Sequence, residues 1–237
     1  MKTHIILAGY RDWALNAFSR IESIADDMGW DVTFQTVTSD SALTSVCAML
    51  DDSPMRSGSV VFLAGWSWIL PSWLVKNITC VGVHPSDLPA YAGGSPIQHQ
   101  VSDGITQTKA TLFRLRSQID AGEIVCKAPL SLEGHMTDIF AALERATTQL
   151  FVQYWTAAEA GTLTFTPQIN ATTPRRRLKP EYSMIPRSTL ASAPCKELWN
   201  IIRCREDPYP NAYLEDETGK LILRHVEFVP SQSKKAS

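Results

Sequence analysis

Two side chains stand out for chemistry, His84 and Asp120. His84 opens the Pro- and Gly-punctuated stretch HPSDLPAYAGGSP, directly after the apolar run CVGV. Asp120 stands 36 residues further on in the tight segment RSQIDAG, between two runs that read as strands. A His and an Asp on neighbouring strand ends can converge at the edge of one sheet. There the carboxylate fixes the imidazole tautomer, and the imidazole takes or gives a proton near neutral pH. Each residue also has a plain structural reading. A His after a strand is often a satisfied core histidine, and an Asp-Ala-Gly segment is often only a turn. Spacing by itself does not choose between them.

Other candidates read both ways as well. Trp66 and Trp68 suit stacking on a flat ligand or packing in the core. The Arg175–Arg177 run suits a grip on phosphate or a solvated face. Gly9 stands without a GxGxxG pattern, so NAD binding is not expected. His4 begins a strand and reads as structural; His99, His135 and His225 are scattered and receive no role.

The elements that must position these residues follow from hydrophobic periodicity. His4–Ala8 is a short apolar run ending at Gly9, a strand. Asp12 reads as the cap of a helix with apolar residues at Ala14, Phe18, Ile21, Ala25 and Met28, stopped by Gly29. Asp31–Val37 alternates as a strand, Ser39–Leu50 reads as a helix, and Ser59–Leu63 and Cys80–Val83 read as buried strands. This βαβαβ rhythm predicts an α/β fold with a parallel sheet, its functional loops at the carboxyl ends of the strands. Thr108–Leu115 and Glu123–Leu130 read as two more strands. A long helix follows with Ile139, Leu143, Ala146, Leu150 and Tyr154 on one face, and Gly161 stops it. The composition shifts near residue 165. Residues 166–186 read as a connector, and 187–229 as a small α+β appendage. The appendage holds a helix at Cys195–Arg203, the turn DPYPN, and a β-hairpin closing near Thr218–Gly219 with a second strand over Lys220–Val229. The tail, 230–237, reads as disordered.

Composition narrows the class. Of 237 residues, 44% are apolar and 19% charged, which allows a sizeable core. Lys and Arg total 22 against 24 Asp and Glu, a net charge of −2, so there is no basic footprint of the kind that neutralises phosphates. The five cysteines, Cys47, Cys80, Cys126, Cys195 and Cys204, are scattered without a CxxC. That pattern implies reduced thiols and no zinc site. The N-terminal apolar run is short and meets Arg11 and Asp12 at once, so no secretory signal is expected. The longest uncharged stretch, Val60 to Val75, is too short for a bilayer, is interrupted by Gly65 and Pro71, and reads as a buried strand running into a loop. The expectation is a cytoplasmic protein with no membrane contact.

Two linked stretches sharpen this. VHPSDLPAYAGGSPIQ, followed by TKATLFRLRSQIDAGEIV, resembles the formyltransferases that use 10-formyltetrahydrofolate, among them the methionyl-tRNA, glycinamide ribonucleotide and sugar-nucleotide N-formyltransferases. The resemblance is carried first by His84, Pro85, Ser86, Leu88, Pro89, Tyr91 and Gly93, then by Ile119, Asp120, Gly122 and Ile124, and earlier by WSWILP (66–71). It covers roughly residues 1–165. It implies a Rossmann-like catalytic domain, 10-formyltetrahydrofolate as co-substrate, and no metal. It implies a catalytic role for His84 and Asp120. The folate would lie against Trp66, Ser67, Trp68, Ile69, Leu70, Arg116, Ser117, Gln118 and Ile119. The amine substrate would lie against Ser86, Asp87, Tyr91, Gly93 and Gly94.

One position departs from the family pattern. The family usually places an Asn two residues before the His, where its amide donates to the formyl oxygen; here that residue is Gly82. Losing one such donor costs roughly 10²–10³ in rate. Asn77 is too far upstream to substitute. A backbone N–H, Ser86 or a water may take over as donor, the chemistry may be hydrolysis of the formyl-folate, or the site may be weakened to a binding module. The size of the appendage and the charge point to a small amine, most simply a nucleotide-linked amino deoxysugar, rather than transfer RNA. A homodimer is a further expectation by analogy.

Overall fold

The computed structural model describes residues 2–51, 58–169 and 173–231. Most of the tail expected to be disordered lies outside them. The chain runs β1 (Thr3–Ala8), α1 (Asp12–Met28), β2 (Val32–Val37), α2 (Asp40–Asp51), β3 (Ser59–Leu63), α3 (Ser72–Asn77), β4 (Thr79–His84), α4 (Pro96–Ser102), β5 (Gln107–Arg114), β6 (Ile124–Ser131) and α5 (Met136–Glu159). A C-terminal piece adds α6 (Arg187–Ser192), α7 (Cys195–Arg203), β7 (Ala212–Asp216) and β8 (Gly219–Leu223).

Six strands form one sheet in the order β2-β1-β3-β4-β5-β6. The first four are parallel, and β5 and β6 continue antiparallel. The α/β reading therefore holds, with a mostly parallel sheet and a separate two-stranded hairpin. Both sheet faces are dry, as a parallel sheet requires. In β1, Ile5 and Leu7 pack with Phe18, Phe62, Leu150 and Phe151 under α1 and α5. Their neighbours Ile6 and Ala8 face the other way, onto Leu43, Cys47 and Leu74 of α2 and α3. Each such large side chain, fully buried, contributes roughly 1.5–3 kcal/mol. The predicted stripe of α5 is buried throughout, and Gly29 takes φ 65° at the end of α1 as a helix stop should. The five cysteines are free, and burial pushes the Cys80 and Cys126 thiols up to about 12.

Three local expectations need correction. Arg11, not Asp12, is the N-cap of α1, and no side chain caps it; Asp12 is the first helical residue, where its charge meets the positive end of the helix dipole. The second hairpin strand ends at Leu223, not Val229, because His225 takes φ 51°, a left-handed conformation that breaks the pleat. The stretch after β3 is not only loop; it includes the short helix α3. Short helices such as α3, α4 and α6 lack enough turns to show a period.

The C-terminal piece has a small core, with Ile185, Ile202 and Ala212 packed by Leu214, Leu223 and Val226. Arg203 docks it on the larger domain. That side chain is 1% exposed, lies 4.4 Å from the Trp199 ring, and donates to the Leu132 and Gly134 carbonyls at 2.7 Å each and to Asn200 Oδ1 at 2.9 Å. Burial holds its guanidinium below the usual arginine range, so these acceptors must offset a real desolvation cost. Among the described residues, no helix is long and apolar enough to cross a membrane.

Candidate active site

β4 delivers His84 to the carboxyl edge of the sheet, and the loop after β5 delivers Asp120 to the same place. His84 Nδ1 stands 3.5 Å from Asp120 Oδ2, with the imidazole 8% and the carboxylate 18% exposed. The other ring nitrogen, Nε2, lies 2.9 Å from the Tyr91 carbonyl, a contact that needs a proton on Nε2. A second proton can then be shared between Nδ1 and the carboxylate. A pair of this kind can hold a proton and pass it on.

Local backbone explains why the sequence turns here. Tyr91, Ser95 and Asp120 are non-glycine residues at φ 55°, 54° and 49°, and Gly93 lies at 100°. Such conformations persist only where surrounding contacts over-determine them. Those contacts are present: Gly93 N–H donates to Asp120 Oδ2 at 2.7 Å, and Gln168 Nε2 donates to the Asp120 and Gly122 carbonyls at 2.7 Å. Gly122 is obligatory, since a Cβ there would sit 1.6 Å from the Arg114 carbonyl oxygen.

The residues expected around the amine have mixed placements. Ser86 is fully buried; its hydroxyl donates to the Ala90 carbonyl, and its own carbonyl accepts from Thr111. It fixes the loop and is not free to serve as the missing donor. Asp87 faces β5 and β6, paired with Lys109 at 3.1 Å and with Lys127. Burial works against its ionisation, but the two ammonium groups outweigh it and hold the carboxyl below its usual range. Tyr91 turns its phenol to Asp103 at 2.9 Å, and the Arg175 guanidinium lies 4.4 Å from its ring. Gly93 and Gly94 run beneath Arg175 and Arg177, pressed against their backbone. The expected connector thus lies as a strap across the loop after β4.

The folate candidates gather in two loops. Trp66 and Trp68 meet edge to face at 4.9 Å, and Trp68 also packs on Tyr10 at 4.7 Å. Tyr10 donates to Ser67 Oγ at 2.6 Å. Leu70 faces inward beside Leu74, whereas Ile69 is 82% exposed. Trp66 Nε1 is buried with no hydrogen-bond partner among the described residues. An orphan donor beside an aromatic platform fits a flat ligand with acceptor atoms. Arg116 pairs with Glu123 at 2.6 Å and, by that hydrogen bond above all, holds its carboxyl at about 2; Ser117, Gln118 and Ile119 are exposed beside it.

At Gly82 the structure shows what replaces the Asn. A Cβ built on Gly82 would lie 2.7 Å from Leu115 Cδ1. Leu115 fills the space that a side chain at residue 82 would use. Asn77, at the end of α3, precedes the opposite end of β4. Tyr10, Gln168 and Lys127 were not singled out from the sequence. Each acts through a partner distant in the chain, which no local pattern records.

Known proteins resemble this chain in sequence and in fold. A family model described as formyl transferase matches residues 39–153. The methionyl-tRNA formyltransferase of Lactobacillus delbrueckii subsp. bulgaricus is 28% identical over 169 residues, 70% of this chain and 52% of that protein. The structure of methionyl-tRNA formyltransferase from Clostridium thermocellum superposes with a TM-score of 0.79 at 25% identity, covering 97% of this chain and 95% of that one. A 4-N formyltransferase from Francisella tularensis shares the fold, with a TM-score of 0.72 at 17% identity over 96% and 99% of the two chains. The chain is similar to formyltransferases in sequence and in fold. The matched stretches span about a quarter to a half of the curated relatives' own length.

Proposed function

We propose that this chain is an N-formyltransferase that moves the formyl group of 10-formyltetrahydrofolate to a primary amine, and that a nucleotide-linked amino deoxysugar carries the amine. The observation that carries the reaction is the His84–Asp120 pair, desolvated at the sheet edge and bonded into a strained loop, in a chain similar to formyltransferases. Trp66, Trp68 and the exposed run 116–119 would hold the folate, which supplies an activated formyl group when bound. Asp120 holds the imidazole and shares its proton. His84 takes a proton as the amine attacks and returns one to the leaving nitrogen. Low exposure strengthens each of these interactions.

The sugar acceptor is supported by the net charge of −2, which lacks the cationic excess that a transfer-RNA backbone calls for. It is also in keeping with the fold shared with the 4-N formyltransferase. One observation favours the other reading: the named sequence relatives are methionyl-tRNA formyltransferases. The test is to incubate the chain with formyl-folate and, separately, a panel of nucleotide-linked amino sugars and methionyl-tRNA. A mass gain of one formyl group on an amino sugar is expected. A silent panel with formylated methionyl-tRNA reverses the acceptor. Tetrahydrofolate released without any amine makes the chain a hydrolase. Full activity in His84→Ala removes the site assignment.

A further inference from the structure

We propose that Gln168 is a positioning residue: its side-chain amide holds the turn that aims Asp120 at His84, and so sets the geometry of the proposed catalytic pair. The proposal deepens the reading above and rests on it for the role of that pair.

Asp120 carries its carboxylate on a backbone at φ 49°. An Asp tolerates this left-handed conformation better than most residues, but it still lies uphill of the usual regions. The side chain is short, so any relaxation of the backbone moves the carboxylate with it. One oxygen, Oδ2, makes both contacts: it lies 3.5 Å from His84 Nδ1 and accepts from the Gly93 N–H at 2.7 Å. The first of these already stands at the outer edge of hydrogen-bond range, so a small movement is enough to lose it.

Backbone pairing with β5 reaches Glu123, whose carbonyl accepts from the Arg114 N–H at 2.8 Å. On the Asp120 side of that bond, Gln168 Nε2 donates to the Asp120 and Gly122 carbonyls at 2.7 Å each. Both acceptors are carbonyl oxygens, so the amide must turn its NH2 group to them and spend both N–H bonds. A fork on these two carbonyls resists rotation of either peptide, which is the kind of contact that keeps a left-handed residue in place. The donor is itself anchored. Two residues earlier, Thr166 exchanges both backbone hydrogen bonds with Ile124, at 2.8 Å each, which fixes the chain carrying Gln168 beside the start of β6.

The chain after α5 also holds the other loop, by different bonds. The Arg175 N–H donates to the Ala92 carbonyl, and the Gly94 N–H donates to the Arg175 carbonyl, both at 2.8 Å. Two adjacent amides therefore report on two different things. The Gly93 N–H depends on where the Asp120 carboxylate stands, and the Gly94 N–H on the strap.

The test compares the full chain with Gln168→Met and Gln168→Glu, which keep the reach of the side chain and lose its amide donors. Turnover is read as tetrahydrofolate release. In both variants kcat should fall roughly 10–10²-fold, with KM for formyl-folate within about twofold of wild type. In an Asp120→Asn background, adding Gln168→Met should cost less than about twofold, because the carboxylate it positions is gone. Amide exchange is read by NMR. The Gly93 N–H should exchange about tenfold faster in both variants, while the Gly94 N–H stays within about twofold. Unchanged kcat, or a Gly93 amide as protected as in wild type, overturns the proposal. So does faster exchange of both amides together, or failure of both variants to fold, since either makes Gln168 a fastener of the connector alone. An equal loss of turnover with and without Asp120→Asn shows that the effect does not run through Asp120, and overturns it too. A wild type that never releases tetrahydrofolate removes the formyltransferase reading instead, and the exchange of Gly93 against Gly94 still decides whether Gln168 positions Asp120.

Discussion

The molecule holds two His–carboxylate pairs, and the tighter one is not the pair proposed for catalysis. His135 Nδ1 lies 2.7 Å from Glu206 Oε1, while His84 Nδ1 lies 3.5 Å from Asp120 Oδ2. Glu206 uses its second oxygen to accept from the Met136 N–H at the start of α5, at 3.0 Å. Both of its oxygens therefore serve to fasten the C-terminal piece to the larger domain. His225 stacks on His135 at 4.0 Å with 20° between the planes. Three metal-ligating groups come together there, within 4.8 Å of one another. The two rings point their in-plane lone pairs along nearly parallel planes, however, so these donors do not converge on one ion. The difference between the pairs is what surrounds them. At His84 the carboxylate is gripped by a loop of left-handed residues at the carboxyl edge of the sheet. At His135 the partners belong to an ordinary helix start. Proximity of imidazole to carboxylate does not by itself mark catalysis.

Exchanging the two histidines for alanine should separate the pairs most widely. His84→Ala or Asp120→Asn is expected to lower formyl transfer roughly 10²–10⁴-fold, with the thermal midpoint within about 4 °C of wild type. His135→Ala is expected to keep turnover and lose about 1.5–3 kcal/mol of stability, since Glu206 is left buried with one partner. That is a fall of about 3–12 °C for a chain of this size. Rates by folate absorbance and midpoints by calorimetry check both. If His135→Ala loses turnover as steeply as His84→Ala, the division into a working pair and a fastening pair is wrong.

Much of the working pair was legible in the sequence, and little of the fastening pair. β4 and its terminal His84 follow from an apolar run meeting a Pro-Gly loop, and the tight segment before β6 demands a turn that places Asp120 on the same edge. The stripe of α5 and the Gly29 stop were equally readable, because helix period and left-handed glycine are local facts. Glu206 and Arg203 belong to the turn and helix of a small appendage, and their partners lie 69 to 71 residues away. Nothing in their neighbourhoods announces a buried charge. The same holds for Leu115, whose side chain takes the room left at Gly82. The sequence shows a departure from the family pattern there, but only the packing shows the compensation.

That compensation gives the next test. Gly82→Asn alone should crowd Leu115 and destabilise the fold by about 1–3 kcal/mol. Adding Leu115→Ala should restore the lost midpoint. If the working pair lacks only a donor for the developing oxyanion, the double variant should also turn over up to roughly 10²-fold faster than wild type. A double variant that folds well yet turns over no faster would show that the donor is already supplied by another group.

The fastening side yields a smaller effect. Replacing Arg203 by Met keeps much of the volume but strips donors from the Leu132 and Gly134 carbonyls. A loss of about 1–3 kcal/mol is expected, with formyl-folate binding unchanged. Weakened folate binding in that variant would mean that the C-terminal piece shapes the folate site as well as completing the fold.

The smallest expected effect concerns Asp87, and its sign is set by lysines rather than by histidine. Its folded pKa lies below the unfolded value of about 3.9. The ion pairs with Lys109 and Lys127 therefore add stability above that value and lose it as pH falls through the lower, folded one. The carboxylate is 39% exposed, so solvent screening keeps the contribution small. The midpoint gap between wild type and Asp87→Asn should be constant from pH 7 to pH 5 and close below about pH 4. A gap that instead opens or closes between pH 6 and 7 would show that a group other than the Asp87 carboxyl governs this clamp.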